Sequence, residues 1–151
     1  MTTTRLHPVA LRNIPVDAWN DSRRWMEELL REFTVIASSD SGAGVPRALL
    51  AFVEETTARF SHLNQDTNLE LEAAQAAGRS HIDLTLQLPE EARTAALELW
   101  NHILRAAEFC REGDLLITAP TERMWAFLRW YLHQVADQLA GGGPAPWDQD
   151  T

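Results

Sequence analysis

The chain predicts a helix-rich α+β domain in two layers, with about four long helices and one short helix packed on a small two- or three-stranded sheet. Three observations predict it. Four segments repeat apolar residues with a helical period. The segment His81 to Leu88 instead alternates strictly, Ile82, Leu84, Leu86 and Leu88 against His81, Asp83, Thr85 and Gln87, as a strand with one buried and one wet face does. Two short pieces, one using Val9 and Leu11 and one spanning Asp114 to Thr118, are available to pair with it. At least one of them must do so, because a single strand cannot satisfy its own backbone groups. All-α is the alternative, with the strand-like pieces reduced to extended connections.

Helix one runs from Val16 to about Ala37. Val16, Trp19, Met26, Leu30, Phe33 and Ala37 recur at helical spacing, Leu29 lies at the edge, and Pro15 marks the start. Ser38 to Gly44, small and polar with two glycines, reads as an internal linker where mobility should peak. Pro46 opens a second helix with Leu49, Phe52, Val53, Thr56, Phe60 and Leu63 inward and Glu54, Glu55 and Arg59 outward. Asp66-Thr67 followed by Glu70 suggests a capping box for a short, alanine-rich third helix that ends at Gly78.

After the strand, Pro89-Glu90-Glu91 suits the first turn of a fourth helix. Its stripe is Ala92, Ala96, Leu99, Trp100, Ile103, Ala107 and Cys110, widened by Leu97 and Leu104, and Gly113 stops it. Pro120 leads into the last helix, from about Glu122 to Leu139. Four aromatic residues fall within seven positions there, Trp125, Phe127, Trp130 and Tyr131. At about 100° per residue, Met124, Leu128, Tyr131, Leu132, Val135 and Leu139 share one face. Trp125 and Phe127 flank that face, and Trp130 points nearly the opposite way, beside Ala126, His133 and Asp137.

A chain of 151 residues has the size of one ordinary domain. We place the globular part at 1–140 and a flexible tail at 141–151, where a glycine triplet and two prolines precede Trp147. The lone Cys110 excludes an internal disulfide and points to a reducing, cytoplasmic location. No stretch approaches the roughly 18 apolar residues of a membrane span. The net charge of −9 is spread evenly along the chain, and no basic stripe exists to neutralise phosphates. Nucleic acid and anionic membrane are therefore not expected partners. All basic side chains are arginine, as the codon usage of a GC-rich genome favours.

No catalytic signature emerges, and no cofactor is expected. A phosphate cradle has only Gly42-Ala43-Gly44 to draw on and no lysine anywhere. Ser41 and Ser80 sit in no nucleophile-elbow frame, and Cys110 falls within the apolar stripe of helix four, where a thiol packs as a small hydrophobe. Helical spacing sets Glu98 with His102, and His133 with Asp137, one turn apart, so a bundle has four side chains for a mixed nitrogen and oxygen metal site. Against this stand the frequency of such pairs on solvated helices and the lack of an HExxH pattern. The row His81, Asp83, Thr85 and Gln87 is either a ligand-binding face or a solvated sheet face. The outward patch Phe127, Trp130, His133 and Asp137 is either a protein-binding surface or is covered inside the monomer, for instance by helix one through Trp25.

The blocks Leu29-Leu30-Arg31-Glu32-Phe33, Glu108-Phe109-Cys110 with Gly113-Asp114-Leu115-Leu116, and Arg129-Trp130-Tyr131-Leu132 resemble those of a family of uncharacterised small proteins from GC-rich bacteria. That family accompanies anti-sigma factors and their antagonists in signalling modules. The resemblance runs from about Leu6 to Trp147 and implies a regulatory or adaptor role. The asparagine-bearing helix and DxGxG loop of anti-sigma kinases are both missing, so it implies no ATPase. The expected function is a non-catalytic regulatory or protein-interaction domain that binds a signalling protein and forms a homodimer through the last helix. The alternative is a small-ligand or metal-binding sensor, or an enzyme, built on histidine and carboxylate side chains.

Overall fold

Strand β1 (Leu6–Pro15) pairs antiparallel with β2 (His81–Pro89), which lies far along the chain. A computed structural model describes residues 5–38, 44–60, 65–112 and 120–148 of the protein. Between the strands come α1 (Val16–Ser38), α2 (Gly44–Phe60) and α3 (Gln65–Ala76), and after them α4 (Ala92–Glu112) and α5 (Glu122–Leu139). Among the described residues this is an α+β fold of five helices and one two-stranded antiparallel sheet, 70% helical. The strand expected at Asp114–Thr118 and the linker residues 39–43 lie outside the described residues.

The sheet is half wet, as its alternation requires. Ile82, Leu84, Leu86 and Leu88 join Val9, Leu11 and Ile14 in the core, while Asp83, Thr85 and Gln87 are exposed. β1 is longer than its two apolar residues suggested and contains Pro8, which faces Gln87. Ala10, two residues on, turns its N–H and C=O away from β2, so Pro8 at the same parity gives up no ladder donor. The pairing shifts between Leu11 and Ile14, where one extra residue bulges. There Asn13 adopts the left-handed conformation (φ 60°) that asparagine tolerates, and its N–H donates to Asp83 Oδ1 at 2.7 Å.

The outer edge of β1 is closed by a side chain. Gln138 of α5 accepts from the Ala10 N–H and donates to its carbonyl, both at 2.8 Å, so one amide stands in for a neighbouring strand. α5 opens on Thr121, whose hydroxyl accepts from the Met124 N–H at 3.2 Å.

Helix one buries a different line from the one expected. Val16, Ala18, Ser22, Trp25, Leu29 and Phe33 are buried, whereas Trp19, Met26 and Leu30 are only partly so. The reason is that α1 touches α2, α3, α5 and β1, so two of its faces are covered and the stripe of strongest periodicity is not the deepest. α4 starts at Ala92, because Pro89 pairs with Leu6 and closes β2 instead of opening the helix.

Candidate functional site

The aromatic helix α5 lies in the middle of the molecule, between α1 on one side and α4 on the other. Phe127, expected on an outward patch, is 3% exposed. Its ring meets Trp19 at 6.1 Å, Trp130 at 6.0 Å, Tyr131 at 6.1 Å and Trp147 at 6.0 Å between centroids. Trp19 thus holds the covering position on α1 that the sequence offered to Trp25, which is itself core. Trp130 is half-buried, with its ring 5.7 Å from Trp147 and its indole N–H donating to the Ala145 carbonyl at 2.8 Å. His133 packs 5.9 Å from Trp100, and because a carbonyl only accepts, its Nδ1 carries the proton donated to Arg129 O at 2.7 Å. Asp137 is exposed. Of the patch, Phe127 is an internal contact, whereas Trp130 and His133 are half-buried.

What covers it is the segment after α5, expected as a flexible tail. Gly141 (φ 103°) takes a conformation that L side chains rarely adopt, and a Cβ on Gly142 would stand 2.9 Å from the Asp137 carbonyl, so this reversal needs glycine. The chain then runs back along α5. Gln134 Oε1 accepts from the Ala145 N–H at 2.9 Å. The Trp147 N–H donates to Arg12 O at 3.0 Å, and Asn13 Nδ2 donates to Trp147 O at 2.8 Å. Trp147 is 2% exposed and among the largest fully buried side chains of the protein.

The dispersed metal candidates stay apart. Glu98 is exposed, while the His102 ring lies 4.7 Å from Phe52 instead of facing His133. Among the described residues no three His, Cys, Asp or Glu side chains are placed to hold a metal ion. Along the polar strand row, Asp83 braces the bulge, His81 Nδ1 lies 3.0 Å from Ser80 Oγ, and Thr85 and Gln87 stand in solvent. None of the four lines the cavity on the other face.

A concavity does exist on the other side of the sheet. A cavity of about 470 Å³ opens between the helical layer and β2. Trp19, Ser22 and Met26 of α1 form one wall, and Phe127, Leu128, Tyr131 and Leu132 of α5 form another. Leu99 and Ile103 of α4 and Leu86 of β2 close it, with Thr56 and Phe60 of α2 and Thr67 of α3 at its sides. Arg23 and Glu27, both exposed, are the charged residues that line it among the described residues.

Ser22 is 4% exposed, and its Oγ is buried without a hydrogen-bond partner. Burial of Tyr131 pushes its phenol from 10.0 up to about 12, which keeps it neutral at ordinary pH. Cys110 lies in the core, where burial and then the carboxylate of Glu32 push its thiol up, away from the reactive thiolate. Among the described residues that line the cavity there is no histidine and no cysteine.

Comparison of the chain with protein-family models, curated proteins and solved structures gives no match. No helix among the described residues is long and apolar enough to cross a membrane.

Sequence reasoning missed the cavity, because a space between elements has no residue pattern. One signal was present. Ala18, Ser22, Trp25, Leu29 and Phe33 form a helical stripe in which serine is the single polar member.

Proposed function

We propose that this protein is a non-catalytic, cytosolic regulatory domain that senses an apolar small molecule in its central cavity. The cavity carries this reading. Its volume lies in the range of small-molecule sites, and like them it is lined mostly by apolar and aromatic side chains with a few polar groups. Cytosolic placement is supported by a single buried, unpaired thiol. The regulatory output rests on the resemblance of Leu29–Phe33, Glu108–Cys110 and Arg129–Leu132 to small proteins of anti-sigma signalling modules. A signalling protein is the partner this implies, and homodimer formation is the oligomeric state proposed with it. Trp130, proposed for that contact, is half-buried against the chain's own tail.

The test is titration with 1-N-phenylnaphthylamine, an uncharged fluorophore that brightens in apolar sites. One-to-one saturable binding is expected. Met26→Trp, which fills the cavity from α1, should abolish binding while circular dichroism stays native. Equal binding by Met26→Trp would place the fluorophore elsewhere and overturn the reading. Sedimentation velocity measures the dimer independently.

A further inference from the structure

The segment after α5 is held as a receptor holds a peptide. Residues 141–146 are exposed and 142–148 have no regular secondary structure, yet Trp147 is 2% exposed. One buried aromatic anchor on an otherwise solvent-facing stretch of chain is a common way for short segments to dock.

The hydrogen bonds read the main chain of that segment. Trp130 Nε1 donates to Ala145 O at 2.8 Å, and Gln134 Oε1 accepts from the Ala145 N–H at 2.9 Å. Arg12 O accepts from the Trp147 N–H at 3.0 Å, and Asn13 Nδ2 donates to Trp147 O at 2.8 Å. Both main-chain groups of two alternate residues are thus bonded, and Pro144 and Pro146 beside them have no N–H left to satisfy. Aromatic-lined grooves recur where proteins recognise proline-bearing segments.

The groups that make these contacts are fixed without the tail. Gln138 Nε2 donates to Gln134 Oε1 at 2.9 Å, and Gln138 is itself clamped to Ala10. The Asn13 N–H is bonded to Asp83 Oδ1, and the Phe127 ring backs Trp130 at 6.0 Å. A groove organised by contacts of its own needs little ordering to receive another occupant. The present occupant is imperfect, because Trp147 Nε1 is a donor buried without a partner. Three glycines join it to α5, a tether that permits release.

We propose that the groove between α5 and β1 is a peptide-binding site occupied in cis by the chain's own tail, and that its partner is a protein segment of the same kind. That segment bears proline and carries an aromatic anchor that displaces Trp147. The proposal rests on the reading that a protein partner binds, and not on a ligand in the cavity.

The experiment uses a fluorescein-labelled synthetic peptide of residues 142–148 and follows its anisotropy as full-length protein is added. Two variants empty the groove by different routes. Trp147→Ala removes the anchor, whereas Gly142→Val keeps it but sets a side chain where a Cβ stands 2.9 Å from the Asp137 carbonyl, blocking the reversal. Both should bind the peptide one to one, and the native chain at least tenfold more weakly, since its tethered tail competes at a roughly millimolar effective concentration. A peptide with alanine at the anchor should not bind. One with 1-naphthylalanine there, of similar size but without the N–H, should bind about tenfold more tightly than the tryptophan peptide.

No binding to either variant while circular dichroism stays native, or equal binding by the native chain and both variants, would overturn the site. Equal binding of the alanine peptide would remove the anchor. Should both variants unfold, the naphthylalanine peptide on the native chain decides, and no binding at several times the roughly millimolar concentration of the tethered tail would overturn the proposal. The fluorophore titration reports the cavity separately.

Discussion

Two apolar hollows share the Phe127 ring, and the chain treats them differently. One takes Trp147, which arrives on a glycine-built reversal and is fixed by its N–H donating to Arg12 O and its carbonyl accepting from the Asn13 side-chain amide. The other, bounded by Trp19, Tyr131 and Leu132, stays open over about 470 Å³. Each hollow is bordered by a residue with one buried polar atom that lacks a partner, Trp147 at Nε1 and Ser22 at Oγ. In the first, the unpaired indole N–H is offset by the area that a whole tryptophan removes from water. In the second, no comparable burial accompanies the unpaired hydroxyl. The difference separates a hollow that the chain fills from one that it leaves open.

Removing the shared ring should have the largest effect. Phe127→Ala takes away a ring that touches Trp19, Trp130, Tyr131 and Trp147, and is expected to lower stability by about 4 kcal/mol in urea denaturation. Since the ring also lines the cavity, its loss should also weaken 1-N-phenylnaphthylamine binding. Next comes Trp147→Ala, expected to lower stability by about 3 kcal/mol and to make the segment after Leu139 sensitive to limited proteolysis. A loss under about 1 kcal/mol would show that the tail adds little to the body.

Ser22→Ala should act in the opposite direction. It removes an unsatisfied buried hydroxyl and places a better helix former in α1, so thermal unfolding should show a gain of about 1 kcal/mol. Lower stability would mean that the hydroxyl is satisfied in the folded protein.

The smallest effect concerns Tyr131, the chain's one tyrosine, which makes an ultraviolet titration of tyrosinate unambiguous. Its folded phenol titrates at about 12 against 10.0 for the free group. Below about pH 10 it is protonated whether the chain is folded or not, and the contribution is constant. From there to about pH 12 the unfolded chain ionises first, so stability should fall as pH rises. Titration at the ordinary value would show the phenol in contact with water.

Elements with one strong period were legible from residues alone. The last helix spans Glu122–Leu139 as its aromatic and aliphatic spacing indicates, and the alternation from His81 marks β2 to within one residue. β1 was partly legible: Val9 and Leu11 marked it, but the bulge at Asn13 depends on Asp83 across the sheet. The surroundings of α5 were not legible. Residue spacing shows that Trp130 and Phe127 leave the main apolar face but not which neighbour receives them, and here Trp19 and the tail do. The same gap hid the tail itself, since Trp147 has no periodic company and its anchors lie more than a hundred residues earlier.

By itself the sequence determined the helices, the half-wet strand, the acidic surface and the reduced thiol, because period, capping residues and charge act over a few neighbouring positions. Only the tertiary structure decided which faces meet. Docking Trp147, closing the edge of β1 with Gln138 and leaving a cavity beside Ser22 all require residues distant in the chain to come together, and such contacts are specified by packing volume and orientation, which no local pattern encodes.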